Sequence, residues 1–367
     1  MIIESDGNLL TAEVDALVNT VNTVGVMGKG IALQFKRAYP ANYAFYRAAC
    51  KAGDVRLGEM LLFDTGRLGP RRFVINFPTK GHWKARSRLD DIRSGLADLI
   101  RVIRAKKIDS VAVPALGCGN GGLDWGVVRP MIVQAFAELP EVRVLLYPPA
   151  GAPAPESMPV GTAPPSLTRG RAVLLAAMQR YLQSASAIDP RDGVSELEIQ
   201  KIAYFLQVLG QPLKLSFRRA LYGPYAEQLQ HVLQQLEGHY MVGYGDRSGR
   251  VQDLRPIRLK PATGAQATAW LDAHDAAAHD RIDALLRLVD GYETPYSMEL
   301  LATVHFAVAS DPGSDEDRLV ELVRGWSGRK ARLFTADHIR LAHERLRAEG
   351  LLATDRFTDV QPGDSAR

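Results

Sequence analysis

The sequence predicts an α/β domain, with a largely parallel sheet between helices, followed by a mainly α-helical second domain. Over residues 1–150, short β-branched or aromatic runs alternate with helical stretches, which is typical of parallel sheets covered by helices. Residues 151–167 are rich in proline, which lacks an N–H donor, so we expect a semi-rigid linker there. Residues 168–367 have mostly helical apolar spacing. The predicted domains are therefore 1–150 and 168–367.

Composition restricts the class of protein. The chain has 367 residues, of which 46% are hydrophobic and 23% are charged, as in ordinary soluble globular proteins. It has no run of about 18 apolar residues, and Glu4 and Asp6 argue against a signal peptide, so we expect a cytoplasmic protein without membrane contact. Two cysteines are too few for a disulfide framework or a four-cysteine zinc site.

Net charge differs between the two halves of the chain. Residues 1–150 hold 20 basic and 14 acidic residues, a net charge of +6, whereas the remainder has a net charge of −2. A basic first half is compatible with a polyanionic partner. A solvated surface explains this modest excess nearly as well.

Four strands and four helices are predicted in the first domain. The strands are the β-branched or aromatic runs at 14–19, 72–77, 110–116 and 142–147. The predicted helices are 30–39, 41–52, 89–106 and 125–139, and the apolar positions of 89–106 share one stripe. In such sheets ligands bind beyond the C-terminal ends of the strands, in the loops that lead into helices.

Two of these strand-to-helix loops are rich in glycine. The first is 19–30 (NTVNTVGVMGKG) and the second is 117–122 (GCGNGG). Glycine permits backbone conformations that other residues avoid and lets a ligand approach the main chain. The N–H groups at the start of the following helix can bind an anion. Either loop could simply form a tight turn, but the pair favours a diphosphate held from both sides.

Standard nucleotide-binding motifs fit the two loops poorly. The segment 28–30 (GKG) looks like part of a P-loop, but no glycine stands five residues before it and no Ser or Thr follows its lysine. Residues 117–122 match the dinucleotide pattern G-x-G-x-x-G. Because only one predicted strand follows that match, the pattern does not indicate a nicotinamide dehydrogenase.

The segments 14–36 (VDALVNTVNTVGVMGKGIALQFK) and 114–125 (PALGCGNGGLDW) resemble ADP-ribose-binding macrodomains. Within that group they are most similar to DarG-type antitoxins, which remove ADP-ribose from thymidine bases in DNA. The resemblance implies a three-layer α/β/α macrodomain with a mixed six-stranded sheet. It also implies an ADP-ribose cleft with adenine near the first strand and the diphosphate between the two loops, and it implies no cofactor.

The resemblance assigns the substrate-binding positions. Asn22 would orient the terminal ribose, Asn8 would accept a hydrogen bond from the adenine amino group, and Tyr147 would pack on adenine. The other substrate-binding positions lie in the two loops: Gly28, Lys29, Gly30, Ile31, Gly117, Cys118, Gly119, Asn120 and Gly121.

Lys80, in the segment 78–83 (PTKGHW), matches the position of the catalytic lysine in this family. By itself, a loop lysine is usually a solvated surface charge. Breaking the bond between the ribose anomeric carbon and a thymine ring nitrogen develops negative charge on the base, which a nearby ammonium can stabilise or protonate. A deprotonated lysine could instead attack the anomeric carbon. Both routes are open from the sequence.

An aromatic residue among cations follows this lysine. Trp83, Lys84, Arg86 and Arg88 suit contact with a nucleic-acid strand, although a solvated basic loop is an equally good interpretation. His82 could share a proton role but is more typical of a surface residue. Cys118 has no supporting base and is better explained by packing. No cluster of His, Asp or Glu has metal-ligand spacing, so we expect no catalytic metal.

The second domain is predicted to bind a partner rather than to catalyse. Helical spacing covers 172–184, 195–209, 224–237, 265–289, 298–308, 315–326 and 336–349, with extended pieces at 213–217 and 255–259. The blocks 199–207 (IQKIAYFLQ) and 219–225 (RALYGPY) resemble the partner-binding half of DarG-type antitoxins and, loosely, Panacea-type antitoxin domains. Tyr204, Phe205, Tyr222 and Tyr225 could form an interface, although aromatics at such spacing are more often core.

These observations predict an antitoxin with two functions. The first domain would hydrolyse ADP-ribose from thymidine bases of DNA, and the second would bind the cognate DNA ADP-ribosyltransferase toxin. The alternatives are a hydrolase acting on ADP-ribosylated protein or O-acyl-ADP-ribose, and a non-catalytic ADP-ribose reader. Lys80 favours hydrolysis because a reader does not require it, and the basic segment after it favours DNA.

Overall fold

The chain folds around a six-stranded sheet in its first part and around packed helices in its second. A computed structural model describes residues 1–248 and 256–352. Within these residues, one compact unit contains 1–163 and 245–248, and a second contains 164–244 and 256–352. Residues 151–163 of the proline-rich segment belong to the first unit, where Gly161 N–H donates a hydrogen bond to Arg37 O at 2.8 Å.

The sheet of the first unit has the strand order β1-β6-β5-β2-β4-β3. Its strands are β1 (Ile2–Glu4), β2 (Ala16–Asn22), β3 (Leu61–Asp64), β4 (Phe73–Lys80), β5 (Ser110–Pro114) and β6 (Arg143–Tyr147). All neighbouring pairs are parallel except β3 and β4, which are antiparallel. The expected mixed six-stranded sheet is confirmed, and the C-terminal ends of β2, β4, β5 and β6 meet at one edge.

Helices cover both faces of this sheet. They are α1 (Gly30–Ala38), α2 (Pro40–Ala52), α3 (Leu89–Lys106) and α4 (Trp125–Phe136). Alternate residues of β2 point to opposite faces: Val18 lies in a core with α3 and α4, whereas Leu17 lies in a core with Phe35 of α1. Gly95 lets α3 approach the sheet closely, because a Cβ there would be 2.3 Å from the Phe77 ring. The three-layer arrangement is therefore confirmed.

The second unit is mostly helical. Its helices are α5 (Arg169–Ile188), α6 (Glu196–Val208), α7 (Glu227–Leu236), α8 (Thr263–His274), α9 (Ala278–Val289), α10 (Pro295–Ser310), α11 (Glu316–Arg324), α12 (Gly328–Leu333) and α13 (Ala336–Ala348). Two short antiparallel pairs join β7 (Arg218–Ala220) to β8 (Gly223–Tyr225) and β9 (Met241–Val242) to β10 (Arg258–Leu259). No helix among the described residues is long and apolar enough to cross a membrane.

Two local predictions for the second unit were wrong, and one helix was missed. The single helix expected at 265–289 is divided into α8 and α9, because Asp275 leaves the helical conformation with φ −158° and its carboxylate pairs with Arg169 at 3.0 Å. The extended piece expected at 213–217 is not a strand, and the strand begins at Arg218. Helix α12 was not predicted. Part of the extended piece at 255–259 lies outside the described residues, and the rest contains β10.

The second unit buries a charged cluster in its core. Glu299 of α10 accepts hydrogen bonds from Lys330 Nζ at 2.5 Å and from Arg329 Nη1 at 2.6 Å. Lys201 lies beside the same cluster, with its Nζ donating to Pro224 O at 2.7 Å. Tyr204 and Phe205 are fully buried and belong to the core, whereas Tyr222 and Tyr225 are half-buried.

Candidate functional site

The predicted site lies where β2 and β4 end, at the C-terminal edge of the sheet. Asn22, the last residue of β2, is in register with Lys80, the last residue of β4. The register shifts between Val21 and Asn22, which turns the end of β2 away from regular pairing. Two predicted site residues that are 58 positions apart in sequence are therefore neighbours in the sheet.

Asn22 organises the first glycine-rich loop. Its Oδ1 accepts hydrogen bonds from Val24 N at 3.0 Å and Val26 N at 3.3 Å, and its Nδ2 donates to Val26 O at 2.6 Å. Tyr46 Oη donates to Asn22 O at 2.6 Å. Asn22 is buried, and its side chain bonds to the main chain of the loop, so these bonds hold the first glycine-rich loop in one conformation.

The first loop leads into α1 through Lys29 and Gly30. Lys29 is exposed and gives α1 no side-chain cap, and Gly30 has φ +62°, a conformation that favours glycine. Gly28 and Ile31 flank this turn and are half-exposed. We expected the free N–H groups at the start of α1 to face a ligand, but Gly30 N–H donates to Asp246 O at 2.8 Å. This N–H group is therefore already bonded within the first unit.

The second loop is closely packed at one glycine and open at another. A Cβ at Gly121 would be 2.3 Å from both Gly117 O and Ser87 Oγ, whereas a Cβ at Gly119 would have nothing within 4 Å. Gly117 has φ +72°, and its carbonyl accepts a hydrogen bond from Leu123 N at 3.1 Å. Close packing at Gly121 therefore fixes the conformation of the loop, whereas the position beside Gly119 is open space.

The two glycine-rich loops meet beside Lys80. A Cβ at Gly30 would be 3.3 Å from Nδ2 of Asn120, an exposed residue of the second loop. Lys80 Nζ donates hydrogen bonds to Asn120 O at 3.0 Å and to Trp83 O at 3.1 Å. Burial lowers the pKa of Lys80 from its usual value. The lysine predicted to be catalytic is thus held by two main-chain carbonyl groups next to both loops.

The remaining predicted binding residues lie at the other end of this edge. Asn8 caps a 3-10 turn at Leu9–Thr11: its Oδ1 accepts from Leu10 N at 3.0 Å, and its Nδ2 donates to Ser157 O at 2.8 Å. Leu10 lies in the same apolar cluster as Ile31 and Tyr147. Burial raises the pKa of Tyr147, which ends β6. The Asn8 amide is engaged with the protein's own main chain.

Other candidate reactive groups in this region have structural partners. Cys118 Sγ donates to Leu116 O at 3.5 Å, and burial raises the pKa of its thiol to about 11. Asp124 caps α4 by accepting a hydrogen bond from Gly126 N. Residues 1–248 and 256–352 contain no group of three His, Cys, Asp or Glu side chains that could hold a metal ion.

Several residues that shape the site carry no signal in the sequence. Lys80 is anchored by the carbonyl groups of Trp83 and Asn120, which any residue type would supply. Tyr46 holds Asn22 from α2. Asp246 lies more than 200 residues from α1 in sequence, yet its Oδ2 accepts a hydrogen bond from Gln34 Nε2 at 2.6 Å. Contacts over such sequence separations appear only in the folded structure.

The six-stranded sheet with helices on both faces, and the two glycine-rich loops at its edge, define the first unit as a macrodomain. The family described as Macro domain matches residues 18–132, a range that includes both loops and Lys80. The solved macrodomain of Mycobacterium tuberculosis DarG is 58% identical; the match covers 41% of this chain and 99% of that one, with a TM-score of 0.41.

Similarity to characterised relatives extends beyond the macrodomain. The DNA ADP-ribosyl glycohydrolase of Mycobacterium tuberculosis is 47% identical over 353 residues, which are 94% of this chain and 99% of that protein. A DNA ADP-ribosyl transferase-DNA ADP-ribosyl glycohydrolase fusion protein of Thermosipho africanus is 35% identical over 157 residues, 39% of this chain and 40% of that protein. This chain belongs to the DNA ADP-ribosyl glycohydrolase family and is a glycohydrolase.

Proposed function

We propose that this protein removes ADP-ribose from thymidine bases of DNA and that Lys80 is its catalytic residue. The observation that carries the proposal is the position of Lys80, whose Nζ lies between the two glycine-rich loops and bonds to Asn120 O and Trp83 O. The similarity to a DNA ADP-ribosyl glycohydrolase over 94% of the chain supports the choice of substrate.

The two loops would bind the ADP-ribose portion of the substrate. The open space in front of Gly119 accommodates the diphosphate, and the approach of Asn120 to Gly30 brings a side-chain amide to the same place. Tyr147 and Ile31, which share an apolar cluster, would pack on adenine. Asn22 acts by fixing the main chain that surrounds the terminal ribose.

Lys80 acts as an ammonium group in this proposal. The bond between the ribose anomeric carbon and the thymine ring nitrogen breaks, its electron pair leaves with the base, and water adds to the anomeric carbon while one of its protons reaches the base. Two carbonyl oxygens within 3.1 Å of Nζ favour the charged form, and the third N–H of the ammonium is left to face the departing base.

The test measures release of ADP-ribose from a modified oligonucleotide and from a modified protein. We expect the full chain to act on the oligonucleotide and Lys80→Ala to lose this activity while still binding ADP-ribose in calorimetry. Lys51→Ala, which removes an exposed lysine of α2 that has no assigned role in the site, is the matched charge control. Equal turnover of the modified protein, or full turnover by Lys80→Ala, contradicts the proposal.

The pH dependence of kcat distinguishes the two possible roles of Lys80. An ammonium is required in the role proposed here, so activity should fall as the pH rises through the lowered pKa of Lys80, below the usual value of about 10.4. A neutral, nucleophilic amine would give activity that rises with pH over that range. Reduction with cyanoborohydride during turnover should leave Lys80 unmodified.

We also propose that the second unit binds a DNA ADP-ribosyltransferase. Two lines of support are the fusion of both activities in a relative and the similarity of this chain to its relatives beyond the macrodomain. The test adds full-length Lys80→Ala protein to the transferase before any oligonucleotide is modified. Suppressed modification is expected, because binding does not require hydrolysis. Undiminished transferase activity, with no co-purification of the two proteins, contradicts this part of the proposal.

A further inference from the structure

An exposed tryptophan stands three residues after Lys80. Trp83 has 49% of its surface exposed, although tryptophan is highly buried on average. Its ring neighbours are also exposed: the His82 ring lies 5.4 Å away between centroids, and Lys84 Nζ lies 4.9 Å from the ring centroid. The indole therefore presents aromatic surface to solvent beside the candidate catalytic group.

The main chain around this tryptophan is held firmly. Thr23 donates from N and Oγ1 to Gly81 O, at 3.3 and 2.7 Å, and Ser87 N donates to Gly121 O at 3.0 Å. Between these two anchors, Trp83 O accepts the hydrogen bond from Lys80. The segment 81–88 is thus tied to both glycine-rich loops and to Lys80, so its position relative to the substrate is defined.

The same segment is strongly basic. It reads GHWKARSR, with no acidic residue, and Lys84, Arg86 and Arg88 are all exposed. Cations beside an exposed aromatic ring are the combination that binds single strands: the ring stacks on a base, and the cations contact phosphates. An ADP-ribosyl group attached to a protein offers no neighbouring nucleobase for such a ring.

We infer that Trp83 is a stacking platform for the nucleobase adjacent to the ADP-ribosylated thymidine, with Lys84, Arg86 and Arg88 holding the flanking phosphates. This inference rests on the proposed DNA substrate. Because Trp83 O accepts a hydrogen bond from Lys80 Nζ, Trp83 stands beside the group proposed to act on the thymidine, and the next base of a stacked strand would be only about 3.4 Å from that thymidine. The segment then selects a DNA strand over a substrate without flanking nucleotides.

The test compares two substrates with the full-length protein. One is ADP-ribosylated thymidine as a single nucleoside, and the other is a single-stranded oligonucleotide with the same modification. Base stacking on an aromatic side chain contributes about 1–3 kcal/mol, so Trp83→Ala should lower the ratio of kcat/KM for oligonucleotide over nucleoside by about 5- to 150-fold. Trp83→Phe should restore most of the ratio. Leu68→Ala, at a fully exposed apolar residue elsewhere, is the control and should not alter it.

The outcomes separate this inference from the proposed function. An unchanged substrate ratio in Trp83→Ala overturns the inference. If the ratio is unchanged because activity falls equally on both substrates, Trp83 acts only through Lys80. If the wild-type protein turns over neither substrate, the proposed function fails instead.

Salt dependence tests the cations separately. In the wild type, log KM for the oligonucleotide should rise with log salt, because each phosphate contact contributes a slope of about 0.7 for single strands. Replacing Arg86 by Gln should reduce that slope by about this amount. An unaltered slope in Arg86→Gln, Lys84→Gln and Arg88→Gln alike would remove the cations from the inference.

Discussion

Two glycines of the second loop should respond to substitution in opposite ways. A Cβ at Gly119 meets nothing within 4 Å, and its φ lies outside the range that favours glycine, so Gly119→Leu should fold normally and extend its side chain into the ligand space. At Gly121 even an alanine Cβ would lie 2.3 Å from Gly117 O and from Ser87 Oγ. Because Gly117 O is a main-chain atom, the loop itself must move.

The magnitudes follow from these contacts. Overpacking a close-packed site costs about 1–3 kcal/mol, and each kcal/mol lowers the melting temperature of a unit of this size by about 2–4 °C. Gly121→Ala should therefore melt roughly 2–12 °C lower and should lose activity, because the neighbouring Asn120 O holds Lys80. Gly119→Leu should keep the wild-type melting temperature and bind ADP-ribose at least about tenfold more weakly, a loss of about 1.4 kcal/mol.

Calorimetry of the full-length variants measures both quantities, by thermal scan and by titration with ADP-ribose. Wild-type affinity in Gly119→Leu would falsify the placement of the diphosphate at the second loop. An unchanged melting temperature in Gly121→Ala would show that the loop relaxes easily around a Cβ. Gly328→Ala serves as the control: its φ also lies outside the range that favours glycine, a Cβ there would have only Arg332 Nη1 nearby, at 3.8 Å, and it lies outside the loop.

Three further substitutions test other parts of the structure. Glu299→Gln leaves Lys330 fully buried without its counter-charge, so the second unit should lose about 3–5 kcal/mol of stability in urea unfolding. Burial lowers the pKa of Lys201 to about 7, and an unfolded lysine titrates near 10.4. Between about pH 7 and about pH 10.4 the unfolded state therefore binds more protons than the folded state. The free energy of unfolding should rise with pH over this range by up to about 1.4 kcal/mol per pH unit, and Lys201→Met should abolish the rise. Asp246→Ala removes the acceptor of Gln34 and should destabilise the first unit by about 1–3 kcal/mol in the same assay.

Long periodic elements could be predicted from the sequence, and short or interrupted ones could not. Helix α3 has the predicted bounds. Its apolar stripe indicates a helix over the whole segment, and the acidic residues in its first turn mark where the helix begins. The edge strands β1 and β3 have only three and four residues, too few for an alternating pattern. The division between α8 and α9 was missed because apolar spacing continues through Asp275, where an ion pair accompanies the end of the helix.

The candidate site was predictable where residue type carries the chemistry. Glycines before two helices indicated the two loops, and the resemblance placed Lys80 beside them. The structure adds contacts that residue type cannot encode: carbonyl groups that bind Lys80, a buried amide that holds a loop, and the Asp246 segment on α1. Such contacts depend on main-chain position, which is set by the whole fold.

The orientation of Lys80 depends on main-chain atoms, whereas the surface beside it depends on side chains. Both hydrogen-bond acceptors of Nζ are main-chain oxygens, and the side chains of the same two residues, Trp83 and Asn120, are exposed. A substitution at either position therefore changes the exposed surface beside Lys80, which we propose contacts the substrate, and keeps the carbonyl group that orients the lysine. Gly121 differs from these two positions, because a Cβ there would displace the main chain of the loop and with it Asn120 O. Substrate preference should thus vary through residues 83 and 120 with little change in kcat, whereas changes at Gly121 should lower kcat itself.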